Sequence, residues 1–194
     1  RLSPDRILVA TGSRAHIPPI PGLADTPYWT STEALTAEET PERLVVLGGG
    51  YIGCELAQTF ARQGSAVTLV TRRDLLAAHD PASGAALAEA FAEEGIRVLT
   101  HREVRRVAYG EAFALELEGG ERIAADRLLV AAGRTANTEG LGLERAGVAT
   151  DASGFIAVDD RLRTSAPGIY AAGDCTDSPR LVYVAAAAGT RAAM

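Results

Sequence analysis

Three glycines, a threonine and two arginines carry the first chemical signal in this chain. Gly48-x-Gly50-x-x-Gly53 follows the apolar run Leu44-Val45-Val46-Leu47 at once, and a helix-length amphipathic segment follows the glycines. Each glycine has its own physical job. Gly48 permits a tight turn out of a strand, Gly50 lets a pyrophosphate approach the backbone, and Gly53 lets a helix pack closely on a sheet. The helix N-terminus, beginning at Tyr51 and Ile52, then offers free N–H groups and a partial positive charge to phosphates. A second strand, 66–70, arrives where a strand–helix–strand unit needs one. At its end a site that reads NADH carries Asp or Glu for the ribose 2′-OH. Here the position is Thr71, followed by Arg72 and Arg73. A carboxylate would repel a 2′-phosphate, whereas guanidinium groups bind one bidentately. The pattern therefore favours NADPH over NADH; the plain alternative is a pair of solvated surface arginines.

These residues need elements to hold them. A strand over 7–10 enters first, then Ile17-Pro18-Pro19-Ile20-Pro21-Gly22, which can be neither helix nor inner strand and reads as a stiff linker. A short helix is expected from Ser31 to Leu35. A helix over 81–94 has Pro81 at its start and Gly95 past its end, and 96–99 supplies a third parallel strand. The period then changes. Segments 104–109, 113–118 and 122–124 alternate, with Gly119-Gly120 between the last two, as an antiparallel meander does. Apolar strands follow at 128–131 and 169–172, the first ending at Gly133-Arg134 and the second at Gly173-Asp174. Between them, Asp151-Ala-Ser-Gly makes a turn before an extended 155–158. The expected fold class is α/β: a Rossmann-like parallel sheet with helices on its faces and a three-stranded antiparallel meander.

The bulk composition excludes several partners. Of the 194 residues 47% are hydrophobic and 23% charged, as in a globular protein with a sizeable core. A net charge of −6 argues against nucleic acid or an anionic membrane surface as partner. No apolar run approaches the roughly 18 residues of a membrane span. Cys54 and Cys175 form no Cys-x-x-Cys pair, and Cys54 falls on the nucleotide-binding helix, where a small buried thiol is expected. His16, His79 and His101 are scattered without ligand spacing, so no metal site is expected. The chain lacks an initiator Met and ends in an alanine-rich helix without a stop signal, so it reads as a fragment of a longer protein.

Four segments occur in an order that resembles the flavin-dependent pyridine-nucleotide disulfide oxidoreductases. They are Ala10-Thr11-Gly12, Gly48-Gly49-Gly50-Tyr51-Ile52-Gly53, Ala132-Gly133-Arg134-Thr135-Ala136-Asn137 and Ala172-Gly173-Asp174. The resemblance implies that residues 1–22 are part of an FAD-binding domain with its linker. It makes 23–140 the NAD(P)-binding domain and 141–194 the second part of the FAD domain. Gly48, Gly50, Ile52, Gly53 and Gly133 are then expected at NADPH, and Arg72 with Arg73 at its 2′-phosphate. Tyr51 matches the aromatic that covers the flavin until nicotinamide displaces it, and Glu55 an acidic residue near that contact. Thr11 and Gly12 match a segment beside FAD, Asp174 an acceptor for the flavin ribitol, and the helix from Val182 would aim its N-terminus at the flavin carbonyls. Ala136 departs from the usual Pro of its segment.

Three further stretches, 27–35, 171–177 and 182–193, resemble within that family the branch whose substrate is mercuric ion, reduced from Hg(II) to Hg(0). Thiolates deliver so soft a metal. The implied parent is a cytoplasmic, homodimeric enzyme that passes hydride from NADPH to FAD and electrons on through a redox disulfide. This chain lacks the first FAD-binding glycine motif and the Cys-x4-Cys, so it is expected to be inactive alone. The rival readings are a related disulfide reductase, such as lipoamide dehydrogenase or glutathione reductase, and a bare nucleotide-binding module without catalysis.

Overall fold

Alternating and continuous apolar runs resolve into short strands and helices in a computed structural model that describes residues 4–194. In chain order these are β1 (Ile7–Val9), β2 (Ser13–Ala15), α1 (Ser31–Leu35), β3 (Arg43–Leu47), α2 (Tyr51–Arg62), β4 (Ala66–Val70), α3 (Pro81–Glu93) and β5 (Arg97–Leu99). There follow β6 (Val104–Tyr109), β7 (Phe113–Leu117), β8 (Arg122–Ala125), β9 (Arg127–Val130), β10 (Arg134–Ala136), α4 (Leu143–Ala146), β11 (Ile169–Ala171) and α5 (Val182–Ala193). Chain contacts divide them into a central unit, Ala15–Gly133, and a split unit made of the chain up to Arg14 together with Arg134–Met194.

Strand β3 organises the central unit because its two faces bury different partners. It pairs in parallel with β4 on one side and β9 on the other, and β5 extends the sheet beyond β4. Trp29 adds a bridge at the far edge, donating to Leu128 O and accepting from Val130 N. Leu44 and Val46 face the helices, in a core with Leu69, Leu129, Phe60 and Phe91. Val45 and Leu47 face the other way, in a core with Val107, Phe113, Leu115, Leu117 and Ile123 of the meander β6–β7–β8. The sheet thus has helices on one face, while the meander covers the other.

Helix α2 buries Gly53, Leu56, Ala57 and Phe60, the i, i+3, i+4, i+7 stripe of a helix with one apolar face. It stops where Gly64 takes a left-handed φ of 105°. Helix α3 starts as its sequence suggests, with the Asp80 carboxylate accepting from Ala82 N and Pro81 in the first turn. Truncating fully buried Phe91 of α3 to Ala would cost about 3–5 kcal/mol.

The division between units differs from the sequence expectation, which put it at 22/23 and 140/141. Residues 16–22 are fastened to the central unit. His16 N donates to Gly133 O, Val107 N donates to Pro21 O, and Ile17 and Ile20 pack on the meander-side core. Gly22 is required there, because a Cβ would lie 2.1 Å from Val107 O. The proline-rich segment is a lashing and not a free linker.

The split unit is thinner. It holds two-stranded pairs, β1 with β11 and β2 with β10, and small clusters around Ile156 and Leu162. Segment 155–158 forms no strand. Asp151 draws the chain into a turn by accepting from Ser153 N and Phe155 N, and only Ile156 bridges, to Thr150 and Thr176.

Candidate functional site

The turn between β3 and α2 sits where the parallel sheet changes direction, β4 lying to one side of β3 and β9 to the other. Such a switch point opens a crevice at the carboxyl ends of the strands. Gly48 lines it with φ 119°, and a Cβ there would lie 2.2 Å from Ala131 O at the end of β9. A Cβ on Gly53 would lie 2.0 Å from Gly48 O, so helix and turn touch backbone to backbone. Gly50 differs from both. Its φ of −84° suits any residue, and a Cβ there meets nothing within 4 Å. Packing explains Gly48 and Gly53, whereas at Gly50 glycine leaves the backbone open to an incoming group.

The turn is held rigidly. Gly48 N donates to Val70 O at 2.9 Å, and Gly49 O accepts from Leu76 N at 2.8 Å and from the Cys54 thiol at 3.5 Å. The helical ladder begins with Cys54 N donating to Gly50 O, so the amides before it lack intrahelical acceptors. Those amides and the helix dipole favour an anion. Ile52 is half-buried against the helix-side core. Burial pushes the Cys54 thiol up to about 11, with nearby Glu55 adding to the shift, so Cys54 is a neutral packing group at pH 7.

Thr71 is buried beside this turn. Its hydroxyl would lie 3.1 Å from a Cβ on Gly49, and it accepts from Arg73 N at 3.4 Å. This short turn leaves Arg72 and Arg73 exposed, and among the described residues neither guanidinium has an acidic partner. Two unpaired guanidinium groups at the strand end suit a phosphate monoester.

Tyr51 is half-exposed at the start of α2, and its ring lies against His79, centroids 4.8 Å apart. Its hydroxyl is 3.4 Å from His79 Nδ1. The aromatic is therefore held by His79 of the loop before α3. Glu55, on the same helix, is exposed. Gly133 closes the central unit with φ 122°, its carbonyl accepting from His16 N.

In the split unit, Thr11, Gly12 and Asp174 come together. Asn137 Nδ2 donates to Thr11 O and Asn137 N to Gly12 O, which fixes the loop after β1. Ser13 Oγ donates to Asp174 Oδ2 at 3.0 Å. Arg134 Nε donates to Ser13 Oγ at 2.6 Å and lies 3.6 Å from the same Asp174 oxygen. Sequence reasoning did not select Ser13 and Arg134, the two residues beside the Asp174 carboxylate; Arg134 following Gly133 at a strand end was the available signal. Gly173 takes φ 78°, and a Cβ there would lie 3.5 Å from Ala185 on α5. Val182, at the start of α5, is 88% exposed. Ala136, in place of the usual Pro, is buried within β10.

Among the described residues no group of three or more His, Cys, Asp or Glu could hold a metal ion, and no helix is long and apolar enough to cross a membrane.

Sheet order and the glycine turn after β3 define an α/β protein of the Rossmann-like class. The pyridine nucleotide-disulphide oxidoreductase family matches residues 1–189, and the chain belongs to it. It is 56% identical over 190 residues to a mercuric reductase of Acidithiobacillus ferrooxidans and 53% identical over 196 to one of Shigella flexneri, covering 98% of this chain in each case. It spans only 35% and 34% of those two proteins. Among solved structures it resembles the Cu(II) complex of the HOCl-induced flavoprotein disulfide reductase RclA from Escherichia coli, with TM-score 0.88, 34% identity, and coverage of 96% of this chain and 44% of that one. LpdA from Mycobacterium tuberculosis gives TM-score 0.85 at 33% identity, covering 97% of this chain and 41% of that one.

Proposed function

We propose that the central unit binds NADPH, that the split unit contributes to an FAD site, and that the parent protein reduces Hg(II) to Hg(0). The observation that carries the nucleotide is Gly50. It is the one glycine of the motif with neither a steric nor a conformational need, set between Gly48, which has both, and Gly53, where a Cβ would strike Gly48 O. The residues present fit the cofactor. Gly48, Gly50 and Gly53 with the amides of Tyr51 and Ile52 would hold the pyrophosphate, Gly133 would border it, and Arg72 with Arg73 would hold the 2′-phosphate.

In the split unit Thr11, Gly12, Asp174 and the α5 terminus at Val182 would lie along FAD. Arg134 and Ser13 fix the Asp174 carboxylate so that its other oxygen remains to accept a hydroxyl. When bound, the two cofactors supply hydride and a two-electron relay, which is what Hg(II) needs to become Hg(0). Tyr51 serves as the aromatic that yields to nicotinamide, and Glu55 as the acidic side chain near that exchange.

Cys54 and Cys175 are free, buried and in different units, so neither serves as a cycling dithiol within this chain. The 194-residue chain is therefore inactive alone, and the parent acts as a cytoplasmic homodimer. Calorimetric titration of the chain tests the nucleotide. NADPH should bind more tightly than NADH by about 1–3 kcal/mol, and equal affinities would refute it. NADPH oxidation by the full-length parent tests the substrate. Turnover with Hg(II) and excess thiol, but none with oxidised glutathione or lipoamide, is expected. The reverse would favour the disulfide-reducing reading that likeness to the flavoprotein disulfide reductase RclA supports.

A further inference from the structure

The end of β5 folds back onto the end of β4. Thr71 N donates to Leu99 O at 3.0 Å, and Arg102 N donates to Thr71 O at 3.1 Å. Between them His101 takes a left-handed φ of 54°, which a residue with a side chain adopts only at a cost. The backbone of Arg102 is thereby pinned beside Thr71, the position that selects between ribose 2′-OH and 2′-phosphate. A third bond ties the two loops together, His101 Nε2 lying 3.0 Å from Asp74 Oδ1.

The charges on this lip are sorted. Asp74 is engaged by His101, and Glu103 by Arg105, 3.3 Å away. Arg105 also pairs with Glu118. Arg72, Arg73 and Arg102 are exposed and have no acidic partner among the described residues. The nearby carboxylates are thus taken up by other side chains, and three guanidinium groups remain on two adjoining strand ends. The chain contains no lysine, so the permanently charged cationic side chains on this lip are all guanidinium groups.

We propose that Arg102 is a specificity-determining residue, a third arm that grips the 2′-phosphate with Arg72 and Arg73. This rests on the NADPH reading given above and extends it from the β4 end to the β5 end of the sheet. His101 is a positioning residue: its left-handed turn sets Arg102 in place, and its ring keeps Asp74 from competing with the phosphate.

The test uses the 194-residue chain with 2′,5′-ADP and 5′-AMP as probes, which differ only in the 2′-phosphate. Arg102→Gln should weaken 2′,5′-ADP by roughly three- to tenfold, as expected for one charge-assisted contact, and leave 5′-AMP within about twofold. The dependence of log Kd on log salt for 2′,5′-ADP should also become shallower, because one phosphate-bound cation is gone. Arg102→Lys should recover only part of the affinity. Arg102 is exposed, so an unchanged thermal midpoint should accompany these losses. Equal loss of both probes would mean a general effect and would overturn the assignment. An unchanged Arg102→Gln beside a weakened Arg72→Ala or Arg73→Ala would overturn Arg102 and leave the NADPH reading standing. No loss in any of the three would overturn both.

Discussion

Glycine-led turns follow strands in both units of this molecule, and the two units build them differently. In the central unit the turn after β3 is wedged. Gly48 and Gly53 have no room for a Cβ, and Gly49 is gripped by Leu76 and Cys54. In the split unit the turns after β1 and β11 use Gly12 and Gly173 for their positive φ, and no backbone crowds either position. There the geometry comes from side chains instead, through Asn137, Ser13, Arg134 and Asp174. A turn set by steric exclusion keeps its shape without hydrogen-bonding side chains, whereas one set by a polar network depends on every member. The difference also follows burial. The central unit sandwiches its sheet between two large cores, while Ile7 and Leu8 of β1 are each 44% exposed.

The largest effect expected separates glycines within one motif. Gly53→Ala forces a Cβ against Gly48 O and should cost about 3 kcal/mol or more in stability, combining overpacking with a backbone shift. Gly50→Ala should cost less than about 1 kcal/mol, since its conformation and surroundings accept a methyl group. Yet Gly50→Ala should abolish measurable NADPH binding while the fold persists. Urea unfolding and calorimetry on both variants decide this. A Gly50→Ala chain that binds NADPH normally would remove the principal argument for the site.

Much of this was legible beforehand, for physical reasons. Residues 44–70 combine a buried strand, a helix stripe and a three-glycine motif in which sterics dictate Gly48 and Gly53, and local sequence alone carries such a pattern. The helix starts at Asp80-Pro81 and Thr30-Ser31 were equally local. What escaped was non-local. Strands β2 and β10 have three residues each, and they pair across most of the chain. The proline-rich segment reads as a linker until Val107 is seen bonded to Pro21. Ser13 and His79 carry no pattern of their own, and they matter only because folding brings them to Asp174 and Tyr51.

A change in the polar network should be smaller and more local. Arg134→Ala removes two donors to Ser13, at its hydroxyl and its carbonyl, and the neighbour of Asp174. With these groups partly buried, a loss of about 1–2 kcal/mol is expected. Hydrogen exchange should show it first at residues 11–14 and 172–176. Uniform loss across both units would mean that the split unit's turn is held by packing, as the central one is, and the contrast would fail.

Cys54 gives a pH test of the wedged turn. The folded chain holds its thiol near 11 against an ordinary value near 9, because burial disfavours the thiolate. The unfolded chain therefore loses this proton first as pH rises. Stability is full below about pH 9 and falls as pH climbs towards 11, by of order 2 kcal/mol from this group. Urea midpoints measured from pH 8 to 11 should decline more steeply in the native chain than in Cys54→Ala. Parallel declines would show that the thiol is not confined as the closed turn requires.

The smallest stability effect belongs to Tyr51, and it is the most informative about function. Its ring and that of His79 make a tilted pair at 4.8 Å, but both lie at the surface. Such a contact is worth about 0.5 kcal/mol, the low end for aromatic pairs. Tyr51→Ala and His79→Ala should each shift stability only slightly, and their double-mutant cycle should return a coupling of about that size. A residue that must move before hydride transfer should be held weakly, because a stronger contact would slow its displacement. Stopped-flow reduction of flavin by NADPH in the full-length parent reads the functional side. There Tyr51→Ala should change the rate far more than its stability loss would suggest, and His79→Ala should change it in the direction of a freer ring. A coupling above about 1.5 kcal/mol with unchanged flavin reduction would make Tyr51 a packing residue. The turn after β3 would then hold its aromatic as tightly as it holds its glycines.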